Sequence, residues 1–383
     1  MNTTFLELGV ILLKIIIIGT GILGASVAYN LSKYDGIETV MIDGAQHGKA
    51  TTAGAGIVSP WTSSVTDDSW YQIAKRGAAY YPELITSLQD DGERELGYKK
   101  VGAICIGNNP EKLAEIEKNL ILKKVDAAEI GTIQRLGTEE TQKLFPVLHE
   151  DLQSVFISGA ARVDGNLLRN ALKRATIRNG GQFLEGEATL LHEKRRIHGV
   201  IVNGKAIHGD LVVIAAGAWA GTLLEPLDIQ LQIEPQRGQI VHIKLPDMDT
   251  SDWPIVLPMS SHYLLAFDDS RIVAGATRET RSGFDYRQTA GGIHEVLSEA
   301  LKVAPGLKDG KLEEVRIGFR PMGSDITPTI GMIPSLEGVM LLNGLGASGL
   351  TMGPYVGKLA ASLIMKEKID IDISPYDPKH IIL

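Results

Sequence analysis

The chain of 383 residues carries a formal net charge of −8, with 44% hydrophobic and 22% charged residues. This acidity argues against nucleic acid or an anionic membrane as the main partner, and the length fits about two domains with a sizeable core. The single cysteine, Cys105, excludes an internal disulfide and fits a reducing, cytoplasmic setting.

Residues 1–13 read as an extension before the first strand. Met1 to Thr4 offer no base for a signal peptide. Lys14 and a glycine turn interrupt the apolar stretch before it reaches the roughly 20 residues of a membrane span. Ile15 to Ile18 is a β-branched run without alternation, as in a parallel strand buried on both faces. It runs into Gly19-Thr-Gly21-Ile-Leu-Gly24 and then into helical sequence from Ala25 to Leu31. Strand, G-x-G-x-x-G and helix in this order predict a dinucleotide site. The first glycine makes the tight bend, the second admits a pyrophosphate, and the third lets helix and strand pack closely. The amides of the helix start face the phosphates. A second apolar run, Thr39 to Ile42, ends in Asp43, about 20 residues beyond the motif, where a ribose-binding carboxylate belongs. The alternative for Asp43 is a solvated turn residue.

From Gly44 to Trp61 small residues and hydroxyls dominate, a composition that lets backbone amides approach a large flat ligand. Residues 69–96 read as a helix interrupted by Pro82, 98–107 as a strand, and 111–129 as an exposed helix. Cys105 falls within that strand, which predicts a buried thiol rather than a reactive one. An amphipathic helix is expected from Asn166 to Asn179, with strands near 182–192, 197–202 and 206–216. The last of these, Leu211 to Gly217, is a buried run that returns to the nucleotide domain. Residues 226–318 change character. Alternating stretches such as Gly238 to Lys244 and Tyr263 to Phe267 predict an antiparallel sheet with one solvated or ligand-facing side. Val339 to Leu342 is a strand, Asn343 to Pro354 a second glycine-rich turn, and Tyr355 to Lys366 a helix. The nine histidines form no metal-ligand motif, so no metal is expected.

Taken in order, GTGILGASVAYNLS, ATTAGAGIVSPW, VVIAAGAWA, PQRGQIV, IVAGATRE, GFRPMGSDITPTIG and NGLGASGLTMGP resemble the FAD-dependent D-amino-acid oxidase superfamily. That superfamily includes glycine oxidase, sarcosine oxidase and the bacterial D-amino-acid dehydrogenases. The resemblance spans about residues 14 to 366. It implies an α/β fold: a Rossmann-type FAD-binding domain assembled from segments 14–80, 145–225 and 319–372, and an α+β substrate domain with a largely antiparallel sheet from 81–144 and 226–318.

Carried over by position, Gly19, Gly21, Ile22 and Gly24 hold the pyrophosphate, and Asp43 with Gly44 lies at the adenosine ribose. Thr51, Thr52, Gly56 and Ile57 line the flavin side, with Ala216 and Gly217 also at the cofactor. The turn of Gly344, Gly346, Ala347, Ser348, Gly349, Leu350 and Thr351 brings amides and the Thr351 hydroxyl near the ribityl chain and pyrimidine edge. Arg320, in Gly318-Phe-Arg-Pro321, matches the arginine that binds the substrate carboxylate, where a planar fork makes two parallel charge-assisted hydrogen bonds. The alternative for Arg320 is an ion pair with an acid such as Asp325. Tyr263 stands where the family often places an aromatic hydroxyl beside the substrate; the alternative is a core tyrosine. Two departures matter. Leu345 and Ala347 replace the histidine and arginine that glycine oxidase resemblance leads one to expect. Ala53 and the absence of a C-terminal cysteine imply noncovalent FAD.

The resemblance implies oxidation of a small amino acid or secondary amine, of the D-amino acid, glycine or N-methyl type. The α-hydrogen leaves as hydride to flavin N5, and the imine product hydrolyses. Two alternatives stay open: an FAD-dependent dehydrogenase of a 2-hydroxy acid or a glycerol-phosphate-like substrate, and a noncatalytic FAD-binding subunit of a complex. The partners implied are the small-molecule substrate and oxygen or a quinone as electron acceptor, with homo-oligomerisation left open.

Overall fold

The computed structural model describes residues 12–383. Most of the expected 1–13 extension, residues 1–11, lies outside the described residues. Leu12 is exposed, and Leu13 already belongs to the first strand, Leu13–Ile18.

That strand sits inside a six-stranded sheet. From one edge the order is Thr329–Met332, Val339–Asn343, Leu211–Ile214, Leu13–Ile18, Ile37–Asp43 and Gln182–Glu185. All neighbours are parallel except the pair at the Thr329 edge. Ile15, Ile16 and Ile17 are fully buried, because alternate residues enter apolar cores on opposite faces. The helix Ile22–Leu31 packs on one face between the helices Gly349–Ile364 and Gly165–Arg178. Three sequence-distant segments therefore meet around the glycine turn.

A second, eight-stranded sheet runs in the order Lys311–Met322, Glu234–Lys244, Arg271–Gly275, Tyr263–Ala266, Ile255–Pro258, Ala103–Gly107, Gln153–Ile157 and Ile133–Leu136. It is antiparallel apart from the Ile255–Pro258 and Ala103–Gly107 pair. The sheet corrects three expectations. Gln153–Ile157 pairs here, although residues 145–225 were assigned to the FAD-binding part. Lys311–Met322 runs unbroken across the expected boundary at 318/319. Of the expected solvated or ligand-facing side, the solvated alternative fails: the helix Ala290–Val303, which the strand reading of 226–318 passes over, packs against one face, and the other carries Gly238, Ile240 and Tyr263 into a cavity. The physical basis is that both sets of alternate side chains are apolar. Ile240, Leu265 and Val273 enter one core, and Val241, Leu264 and Ile272 enter the other. Two polar residues of the strand Glu234–Lys244, Gln239 on one face and His242 on the other, are buried, and each makes a side-chain hydrogen bond. The expected strand at 98–107 breaks at Val101–Gly102, and its first half joins a small sheet with Ile57–Val58 and Ala161–Val163. Likewise 206–216 divides into Lys205–His208, in a three-stranded hairpin sheet, and Leu211–Ile214.

Cys105 is buried, and burial pushes its thiol pKa up to about 12, which leaves it inert. Among the described residues no helix is long and apolar enough to cross a membrane.

Candidate active site

Between the two sheets lies a cavity of about 670 Å³, within the range of roughly 300–1,000 Å³ usual for ligand sites. It opens at the carboxyl ends of the parallel strands. Ile18, Asp43, Ala215 and Asn343 all line it, each at or just beyond a strand end. This is where open α/β sheets bind ligands. The wall here is mostly backbone and small side chains: Gly19, Gly21, Gly44, Gly56, Ala216, Gly217, Gly346, Ala347 and Gly349, with Ile22, Thr51, Ile57 and Leu350.

Gly24 stands behind this wall. A Cβ there would come within 1.9 Å of the Gly19 carbonyl oxygen, so the third glycine sets the approach of helix to turn rather than touching a ligand. Asp43 accepts at one oxygen only. Its Oδ2 accepts from Thr20 Oγ1 at 2.8 Å and forms an ion pair with Lys49 Nζ at 2.9 Å, and Oδ1 has no partner among the described residues. The Ile22 amide, expected to face a phosphate, donates to Thr51 Oγ1 at 2.9 Å. That bond ties the helix start to the segment 50–58. The Thr351 hydroxyl, expected at the ribityl chain, donates instead to the Ile57 carbonyl at 2.8 Å and lies outside the cavity wall. Thr52, Gly344 and Ser348 also lie outside it. Thr52 turns its hydroxyl back onto the Lys49 carbonyl, and the Gly344 amide is held by Asn343 Oδ1. Asn343 Nδ2 in turn donates to the Gly217 carbonyl, joining the two glycine turns.

The eight-stranded sheet supplies the other wall. Arg320 stands opposite Gln236 in the register of the two longest strands. Its Nη1 donates to Gln236 Oε1 and to the Thr277 carbonyl, both at 3.0 Å. The guanidinium lies over Gly238, where a Cβ would come within 2.7 Å of Nη2. Burial lowers the Arg320 pKa, yet arginine stays charged, and among the described residues no carboxylate pairs with it. Asp325, the alternative partner, instead accepts from the amide and hydroxyl of Thr327. Tyr263, opposite Gly275, also lines the cavity. Burial raises its pKa, partly offset by the nearby Arg320 and Arg278, and its hydroxyl makes no hydrogen bond within the described protein.

Several wall residues escaped the sequence reading. Arg278 lines the cavity, as do Trp219 and Phe319, with Trp219 stacked on Phe284 at 4.9 Å. Lys49, the partner of Asp43, was also missed. Behind Arg278 lies a buried network. Arg237 meets Glu279 at 2.5 Å and Asp285 at 2.9 Å, and Glu279 accepts from Gln239 Nε2 and Thr277 Oγ1, both at 2.7 Å. Burial alone would raise the Glu279 pKa, but these bonds hold it below the usual carboxylate range. The segment carrying Thr277 and Arg278 is therefore fixed from behind. Among the described residues no group of three or more His, Cys, Asp or Glu could hold a metal.

The cavity suits a long dinucleotide. Among the described residues its only lining acids are Glu187 and Asp43, the latter paired with Lys49. The comparisons agree with this fit. A model of the family described as FAD dependent oxidoreductase matches residues 14–363. Over 364 residues the chain is 49% identical to the uncharacterized oxidoreductase YurR of Bacillus subtilis (strain 168), covering 95% of this chain and 98% of that one. It is 28% identical over 374 residues to a glycine oxidase of Pseudomonas aeruginosa, covering 95% and 98%. The crystal structure of iminodiacetate oxidase (IdaA) from Chelativorans sp. BNC1 matches with a TM-score of 0.92 at 45% identity, covering 95% of this chain and 98% of that one.

Proposed function

The chain belongs to the FAD-dependent oxidoreductase family, and from that premise we propose that it oxidises a small amine bearing a carboxylate, of the kind that its glycine oxidase and iminodiacetate oxidase relatives are named for. FAD, when bound, supplies the two-electron acceptor. The glycine turns at 19–24 and 344–349 and the unpartnered Oδ1 of Asp43 would hold it. We propose that it is held without a covalent bond, since Ala53 offers no attachment atom and Cys105 lies buried in the eight-stranded sheet.

One observation carries the substrate reading: among the described residues Arg320 is a half-buried cation in the cavity wall with no carboxylate beside it. Partial burial weakens the hydration of a guanidinium, and an anion docking beside it offsets that loss. Nη1 is already occupied by Gln236 and Thr277, which fix the plane of the fork. A carboxylate docked on it is held in one orientation, and oriented binding is what a hydride transfer from carbon chiefly requires. Trp219 and Phe319 add apolar surface to the wall. Neutral amine reacts, so the base needed is the solvent or the amine's own equilibrium. The oxidised imine then takes up water to give a carbonyl compound and a released amine.

The test is anaerobic bleaching of the yellow holoprotein. Glycine, N-methylglycine, D-alanine and iminodiacetate are compared with lactate and glycerol phosphate. Bleaching by one or more of the amines alone supports the proposal. Bleaching only by lactate or glycerol phosphate overturns it in favour of a hydroxy-compound dehydrogenase, and no bleaching by any favours a noncatalytic FAD-binding subunit.

A further inference from the structure

A second, smaller pocket lies where the segment 52–55 and the start of the helix Gly165–Arg178 meet the eight-stranded sheet. Ile240 and His242 leave the strand Glu234–Lys244 on the same side, so the sheet face that lines the large cavity at Ile240 continues to this pocket at His242. Thr52, Asp164, Phe267, Arg271 and Arg316 form much of the remaining wall. Its volume of about 10 Å³ is room for one water-sized body.

His242 is 1% exposed, and its Nε2 makes no hydrogen bond among the described residues. Nδ1 lies 3.2 Å from Arg271 Nη1, and a guanidinium can only donate, so Nδ1 accepts. Glu314 Oε1, 3.3 Å from the same nitrogen, is taken by Arg316 Nη2. In the neutral ring Nε2 therefore carries the proton and is a buried donor in need of an acceptor. The charge beside it is positive. Arg271 commits one N–H each to His242, Asp269 and Asp164, and Arg316 one to Glu314 and one, at 3.4 Å, to the Thr52 carbonyl. A guanidinium has five, so both keep some to spare. Glu314 and Asp269 face solvent, with side chains 43% and 53% exposed against 12% for Arg271. Asp164 is the one acid of the wall among the described residues, and its Oδ1 caps the amides of Asn166 and Leu167.

A water would satisfy Nε2 and leave the charge unbalanced, whereas phosphate, sulfate and carboxylates exceed the space. We propose that this pocket binds chloride, a single-atom anion that accepts from His242 Nε2 and from the spare N–H groups of Arg271 and Arg316. Gly54 and Ala55 line both cavities, so the ion sits directly behind the cofactor-side segment and pins it to the sheet.

Two measurements on the FAD-loaded protein at pH 8 test this. Crystals soaked in sodium bromide should show an anomalous peak within hydrogen-bond reach of His242 Nε2. In calorimetry at constant ionic strength, with sodium gluconate replaced by sodium chloride, the Tm should rise by about 1–2 °C for each tenfold in chloride above the dissociation constant. His242→Phe fills the same space without a donor and should abolish both signals; if it fails to fold, Arg316→Met should weaken both. Absence of the bromide peak means that the pocket holds water and overturns the proposal. A peak without a Tm response marks an adventitious ion only, and a Tm response that survives His242→Phe places the chloride elsewhere; either overturns it as well.

Discussion

Replacing Arg320 with methionine separates a ligand anchor from a structural cation, because the two roles predict opposite changes. A carboxylate about 4 Å from the guanidinium, at an effective dielectric of about 20, gains about 4 kcal/mol. Truncating one partner of a shielded pair costs about 2–5 kcal/mol. At about 1.4 kcal/mol per tenfold, Arg320→Met should therefore raise KM by about 30- to 4,000-fold. Arg320→Lys keeps the charge and loses the planar fork, so its KM should fall between the two. Stability should move differently. In the ligand-free protein Arg320 is a partly desolvated cation with no carboxylate beside it among the described residues, so removing it relieves a cost. The accepting oxygens of Gln236 and Thr277 lose one donor each. The Tm of Arg320→Met should therefore lie within about 2–4 °C of the parent, or above it. Differential scanning calorimetry without substrate and anaerobic flavin-reduction kinetics, on the same preparation, give both numbers. A variant that melts many degrees lower while keeping the parental KM would refute the reasoning, since that is the pattern of a broken structural ion pair.

Three other predictions follow from the geometry. Asp43→Asn keeps the shape but loses charge-assisted bonds worth about 1.5–3 kcal/mol each, so FAD affinity should drop about tenfold or more in equilibrium dialysis; unchanged retention would count against a ribose-facing Oδ1. His242 is buried, and burial with the nearby Arg316 and Arg271 lowers its pKa from 6.5 to about 4. Between these values the unfolded chain binds a proton that the folded chain does not, so stability should rise from pH 4 to 6.5 by on the order of 3 kcal/mol. Urea unfolding across that range should show the slope flatten in His242→Gln, and an identical slope in the variant would assign the dependence to other groups. Acid precipitation should leave the yellow colour in the supernatant, whereas colour in the pellet would mean covalent attachment.

The cofactor half of the site was legible because its signals are local. A strand, three glycines, a helix and an acid at the next strand end occupy about 30 consecutive residues, and each constrains its neighbours. What local sequence could not show is where hydroxyls and amides turn once distant segments meet. Thr351 reaches back to Ile57, and Thr51 takes the Ile22 amide, because the helix at 349–364 packs beside the segment 50–58. Arg278 was hidden for a similar reason. Its direction follows from the pairing of Glu279 with Arg237 across 42 residues, which nothing in IVAGATRE announces. Alternation misled at Gln239 and His242, which lie on opposite faces of one strand and are both buried, so that neither marks a solvated side. The helix Ala290–Val303 is a different case. Ile293, Val296, Leu297, Ala300 and Leu301 repeat at helical spacing behind the Thr289 cap, so its signal was present in a region read as strands throughout.

The most direct test of the central claim is the balance of products. A carboxylated amine that bleaches the flavin should release, in single turnover without oxygen, one amine or ammonia and one carbonyl compound per flavin reduced, and Arg320→Met should lose both products in step with the bleaching. Flavin reduction by a hydroxy acid with no nitrogen released, at the same rate in Arg320→Met as in the parent, would contradict it.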